Sequence, residues 1–206
     1  MYGGLAIRDL YTLQGIGHMQ LILPHLSAND VVASLLLIDI SYIQLLTGST
    51  TLFFRLPFPS YEKWMDCGWT FTLWEFLSLH QIDIHIRHAF VPCLSRVGDI
   101  AIMDFFIRLE LSHHHLAALN ACCCFLQVVT LADIVTADGK AITTWAKNGI
   151  RSTDRTSSLR WTKQSRPNDS TWSFWLSVLA RLETNGKFTQ PLGNWIAPTH
   201  QDWRWF

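Results

Sequence analysis

Apolar residues recur at helical spacing from the start of the chain. Leu10, Leu13, Ile16, Met19 and Leu23 follow the rhythm of an amphipathic helix, and Asp9 just ahead offers a carboxylate as N-cap. The pattern predicts a helix over 10–23, stopped at Pro24, which has no N–H to donate. Ser27 and Asp30 resemble a capping box for a second helix through the apolar run Val31–Leu46, closed by Gly48. That run is broken by Asp39 and Gln44, and it reads as a buried helix shorter than a membrane span.

Residues 49–63 hold Ser, Thr and two prolines, which predicts a loop with one short strand. Leu73–Leu79 reads as a short aromatic helix. Gln81–Arg87 alternates, with Ile82, Ile84 and Ile86 on one side, as a strand does. Ser112 caps a helix expected to run to about Val129, with Leu116, Leu119, Cys123 and Leu126 inward. Asp138-Gly139 and Asn185-Gly186 mark turns. Asn168–Ser170 precedes a helix to Leu182 that displays Trp172, Trp175, Leu176, Leu179 and Leu182. The last residues alternate, Trp203 and Trp205 against Arg204 and Phe206. The expected fold is mainly α, a helical core with a few short β-strands and a smaller basic, Trp-rich C-terminal part.

Charge sharpens that division. The chain of 206 residues has a formal net charge of zero, with ten tryptophans and twelve phenylalanines. Residues 1–139 carry 6 Lys and Arg against 12 Asp and Glu, a net of −6, whereas 140–206 carry 10 against 4, a net of +6. A boundary at 139/140 follows, and the basic part suits a polyanion. Five cysteines, three of them adjacent, make no secreted disulfide framework, so a reducing intracellular compartment is expected. No secretory leader and no membrane span are visible.

Gly3-Gly4-Leu5-Ala6-Ile7-Arg8-Asp9-Leu10 has the form of a junction between a preceding domain and a packed helix. This stretch, continuing through Gly15-Ile16-Gly17-His18 and Leu21-Ile22-Leu23-Pro24-His25-Leu26, resembles the region just downstream of the polymerase core in non-LTR retrotransposon reverse transcriptases, of the type in algal retroelements. Leu73-Trp74-Glu75-Phe76-Leu77, Leu116-Ala117-Ala118-Leu119-Asn120, Leu131-Ala132-Asp133-Ile134, Leu159-Arg160-Trp161, Pro191-Leu192-Gly193-Asn194-Trp195-Ile196 and Pro198-Thr199-His200-Gln201 are similar to later stretches of that region. Ala6 stands where the family has a third glycine. The resemblance implies an upstream polymerase domain in the same polypeptide, an RNA-directed DNA polymerase requiring Mg2+. No adjacent Asp-Asp or Asp-Glu pair occurs here, so the two-metal chemistry would lie elsewhere and this stretch would be non-catalytic, with no cofactor.

The residues that carry a binding reading lie in the basic segment. Lys147, Arg151, Arg155, Arg160, Lys163 and Arg166 are spaced as phosphate contacts require, and Trp161 is the stacking candidate for an unpaired RNA or DNA base. The alternatives are a surface linker anchored by its tryptophans, a protein-interaction module, or a retroelement remnant without nucleic-acid binding. His113-His114-His115 cannot converge on one metal, because consecutive helical residues point about 100° apart. Cys67, His80, His85, His88 and Cys93 fit no standard zinc spacing, and Cys122-Cys123-Cys124 read as small buried apolar residues. Asp138-Gly139 is read as a turn, not as a nuclease aspartate.

Overall fold

A computed structural model describes residues 9–65, 68–86, 89–150 and 165–196. The fold is mainly α-helical, with a single two-stranded hairpin among the described residues. It divides into two compact units: Met1–Gln44 with Thr51–Phe90, and Leu45–Thr50 with Val91–Phe206.

The first unit opens with α1, Leu10–Ala28, capped by the Asp9 carboxylate, which accepts from the Tyr11 amide at 3.4 Å. Pro24 does not stop this helix. Its missing N–H orphans the Gln20 carbonyl, but both residues are exposed, so water can take the donor's place. The stop comes at Asn29, in the left-handed region at φ 53°, whose amide donates to the His25 carbonyl. Ser27 therefore lies within α1. Asp30 alone caps α2, Val31–Thr47, accepting from the Ala33 amide at 2.9 Å. Gly48, at φ 61°, follows the end of α2 as expected.

Residues 49–63 form no strand. They wind through three 3-10 turns, Phe53–Arg55, Phe58–Ser60 and Glu62–Trp64. Gln44 holds the first of these: its side chain donates to the Thr51 carbonyl at 2.9 Å and accepts from the Phe53 amide at 2.8 Å. The turns exist to deliver aromatic rings to α3, Trp69–Leu79. Trp74 of α3 is fully buried, with Phe53, Phe58 and Tyr61 ring centroids 5.2, 5.4 and 5.4 Å away, and its indole N–H donates to the Leu56 carbonyl. α1 lies along α3 where Gly15 leaves room for the Phe76 ring; a Cβ there would stand 2.2 Å from it. The strand expected over 81–87 is also missing. Ile84 and Ile86 are buried while Asp83 and His85 are exposed, but among the described residues no strand pairs with Ile82–Ile86. Alternation reported which way the side chains face, and hydrogen-bond pairing is a separate condition.

The second unit is assembled from α4 (Ile102–Arg108), α5 (His113–Leu126), α6 (Thr144–Lys147) and α7 (Asp169–Leu179). Ser112 caps α5 and Asn168 caps α7, as the sequence predicts. α5 ends at Leu126 rather than Val129, because Gln127 takes φ 58° and turns the chain. α7 gives way at Ala180 to a 3-10 turn through Leu182. Its inner face carries Trp172, Trp175, Val178 and Leu179, while Leu176 is exposed. Trp175 meets Phe106 edge-on at 5.6 Å and donates to the Ala146 carbonyl at 3.0 Å. Strands β1 (Glu183–Thr184) and β2 (Lys187–Phe188) pair across the Asn185-Gly186 turn, both residues at positive φ.

Polar clamps complete this unit. Asp133 accepts from the Val129 and Thr130 amides at 2.8 and 3.0 Å. Asp99, buried, accepts from the Ser95 and Ala132 amides, and burial pushes its carboxyl above the ordinary range. Arg96 is buried with its guanidinium spread over four carbonyls, those of Gly193, Thr136, Ala137 and Leu192. Gly139, at φ 72°, admits the Arg96 head: a Cβ there would meet Nη2 at 2.7 Å. Backbone bonds from Val97 to Asn194, from Gly193 to Val97 and from Ile196 to Ser95 hold the same segment.

Candidate attachment surface and basic segment

Of the seven residues singled out for nucleic acid, Arg151, Arg155, Arg160, Trp161 and Lys163 lie outside the described residues. The other two are placed, and each already has a partner. Lys147, at the end of α6, sets its ammonium 2.8 Å from Glu183 Oε2. Glu183 is mostly buried and uses its other oxygen to accept from the Ile142 amide at 2.9 Å, so the pair ties α6 to β1. Arg166 donates to Asp169 at 3.0 Å in the first turn of α7, and its guanidinium stacks over the Trp172 ring at 5.5 Å. Both cations serve the fold.

The histidine run begins α5, where sequence reading puts it. His115 Nδ1 is hydrogen-bonded with Ser112 Oγ at 3.0 Å, and its ring stacks on Phe174 with centroids 4.3 Å apart. Among the described residues no three His, Cys, Asp or Glu side chains converge as a metal site would require. Cys67 and His88 fall outside the described residues. Cys122, Cys123 and Cys124 are buried, and burial pushes the Cys122 and Cys124 thiols up to about 12. They pack as small apolar groups.

A feature the sequence reading missed is the outer surface of the first unit. α1 buries only Gly15 and Ile22, and leaves Leu10, Leu13, Ile16, Leu21 and Leu23 exposed. The run Val31–Leu46 is not the fully buried helix expected: Ala33, Leu36, Ile40 and Ile43 are buried, but Val31, Val32, Leu35, Ile38 and Tyr42 face outward. A continuous apolar run carries no facing signal, so its two sides look alike in sequence. The two helices contain one side chain of full charge, Asp39, which accepts a hydrogen bond from Thr70. No single helix among the described residues is long and apolar enough to cross a membrane; α1 and α2 reach that measure only together, and they are bent by 113°.

No protein-family model, curated protein or solved structure matches the chain. The described residues offer an uncharged apolar exterior on α1 and α2, and a basic stretch whose placed members are internally paired.

Proposed function

We propose that this chain is the non-catalytic C-terminal region of a retroelement reverse transcriptase, supporting the polymerase domain and holding RNA or DNA. The observation that carries the support role is α1: it follows the Gly3-Gly4-Leu5-Ala6-Ile7-Arg8 junction and leaves Leu10, Leu13 and Leu21 uncovered. Contiguous exposed apolar surface marks attachment, and a helix directly after the junction is the first element a preceding domain would meet. Arg151, Arg155, Arg160 and Lys163 supply the phosphate contacts in this reading, with Trp161 stacking on a base.

The internal pairing of Lys147 and Arg166 favours a second reading, a protein-interaction module that does not touch nucleic acid. Fluorescence anisotropy with a labelled single-stranded RNA separates the two. Binding through four phosphate contacts predicts a log–log salt slope near −0.7 per contact, and loss of affinity in the variant R151A/R155A/R160A/K163A. A flat titration with verified folded protein would exclude the nucleic-acid role and leave the interaction module.

A further inference from the structure

The outward face of α2 has an internal order that α1 lacks. Val31, Leu35, Ile38 and Tyr42 are spaced four, three and four residues apart, the alternation of d and a positions in a heptad. They are 77, 61, 59 and 41% exposed, and Val32 beside them 38%. Ala33, Leu36, Ile40 and Ile43 on the opposite side are buried, so the stripe is a second seam on a helix whose first seam is already packed.

We propose that this stripe is the interface for a second copy of the chain, paired antiparallel along α2. Three observations select that occupant. At these exposures the five residues leave roughly 500 Å² on each copy, so a pair that covers them fully buries at most about 1,000 Å², the lower bound for a specific interface. A two-fold pair needs a surface that complements itself, and a narrow aliphatic a/d seam does so by knobs-into-holes packing. No Lys or Arg occurs in either α1 or α2, so nothing on this face attracts an anionic lipid surface.

Charge then sets the direction. Asp30 is exposed at the start of α2 and ionised well below neutral pH, since the hydrogen bond from His25 and the Ala33 amide hold its carboxyl below the ordinary value. Parallel helices would set two Asp30 carboxylates side by side. Antiparallel helices keep them at opposite ends and bring Leu35 opposite Ile38 of the second copy.

The inference goes beyond the reading above and holds whether or not the basic segment binds RNA. Its test is sedimentation equilibrium of the full chain under reducing conditions. The expected result is a dimer with micromolar affinity that Leu35→Lys or Ile38→Glu each weakens at least about 30-fold, without change in helical content or, at concentrations where all three chains are monomeric, in melting temperature. Mixing the two variants should restore a dimer at low salt, because the antiparallel register faces Lys against Glu. A folded wild-type chain that stays monomeric at high micromolar concentration overturns the proposal. So does a dimer that both substitutions leave intact, or a mixture that shows no recovery. A monomer that floats with phosphatidylcholine vesicles, and stops doing so in Leu35→Lys, overturns it in favour of lipid.

Discussion

The two units are held together by different means. The first is organised around rings: Trp74 sits among Phe53, Phe58 and Tyr61, and the 3-10 turns exist to bring those rings in. The second closes its loops with polar groups, buried Arg96 and Asp99 and half-buried Asp133, each of which satisfies several main-chain atoms. The contrast extends to their longest apolar runs. The run in α5 opens with small residues, Ala121 to Cys124, and Cys122, Cys123 and Cys124 are all buried. The run in α2 is made of large aliphatics, and Val31, Val32, Leu35 and Ile38 are left outside. Edge-on ring packing fixes the centre of the first unit around Trp74, and the outward faces of α1 and α2 lie beyond it. Polar clamps fix particular main-chain positions.

The sharpest way to break the first arrangement is Trp74→Ala. It removes the ring that the other three share and orphans the Leu56 carbonyl, at an expected loss of about 3–5 kcal/mol in denaturant unfolding. Arg96→Ala is the corresponding break in the second unit. Four carbonyls lose their shared donor, with an expected loss of about 2–3 kcal/mol. Hydrogen exchange should show it as faster exchange at Gly193 and Ile196, whose amides are bonded to Val97 and Ser95. An unchanged exchange rate there would mean that the backbone pairing, not the guanidinium, holds the segment.

Gly15→Ala comes next, at about 1–3 kcal/mol, because the new methyl enters the Phe76 ring unless α1 lifts from α3. Part of that loss is offset by the better helix propensity of alanine, roughly 1 kcal/mol. A neutral or stabilising result would show that α1 is not seated on α3 as closely as described. The smallest effect is a pH dependence in the second unit. The Thr136 hydroxyl, and then the Lys140 amide, hold the Asp138 carboxyl below its ordinary 3.8. The stability from that turn is therefore present above 3.8 and is lost as pH falls through the lowered value. Asp138→Asn should reduce the drop in melting temperature between pH 6 and about pH 2.5, with little change at neutral pH.

Legibility in the sequence follows the range of the interaction involved. Asp9, Ser112 and Asn168 cap their helices because a cap depends on residues two or three positions away. The Asn185-Gly186 hairpin and the Gly48 stop are equally local, since both turn on backbone that glycine or asparagine adopts cheaply. Pro24 misled because the penalty for proline depends on whether the orphaned carbonyl reaches water, which is a tertiary fact. The Ile82, Ile84 and Ile86 alternation gave the correct facing and the wrong element for a similar reason: the pairing partner is non-local. Arg96 was not singled out at all. No local pattern distinguishes an arginine that will be buried over carbonyls some forty and ninety-seven residues away. The same applies to the outward face of α2, whose apolar count was visible but whose division into two seams was not.

The run of three cysteines has one more consequence. With Cys122, Cys123 and Cys124 sealed in the second unit and Cys93 at the surface, thiol alkylation becomes a built-in reporter of opening. Brief exposure to iodoacetamide should modify Cys93 in the native chain, while carbamidomethyl groups at 122–124 record only those molecules whose interior has come apart. Their mass spectrum would count unfolded copies directly, without a fluorophore or a tag.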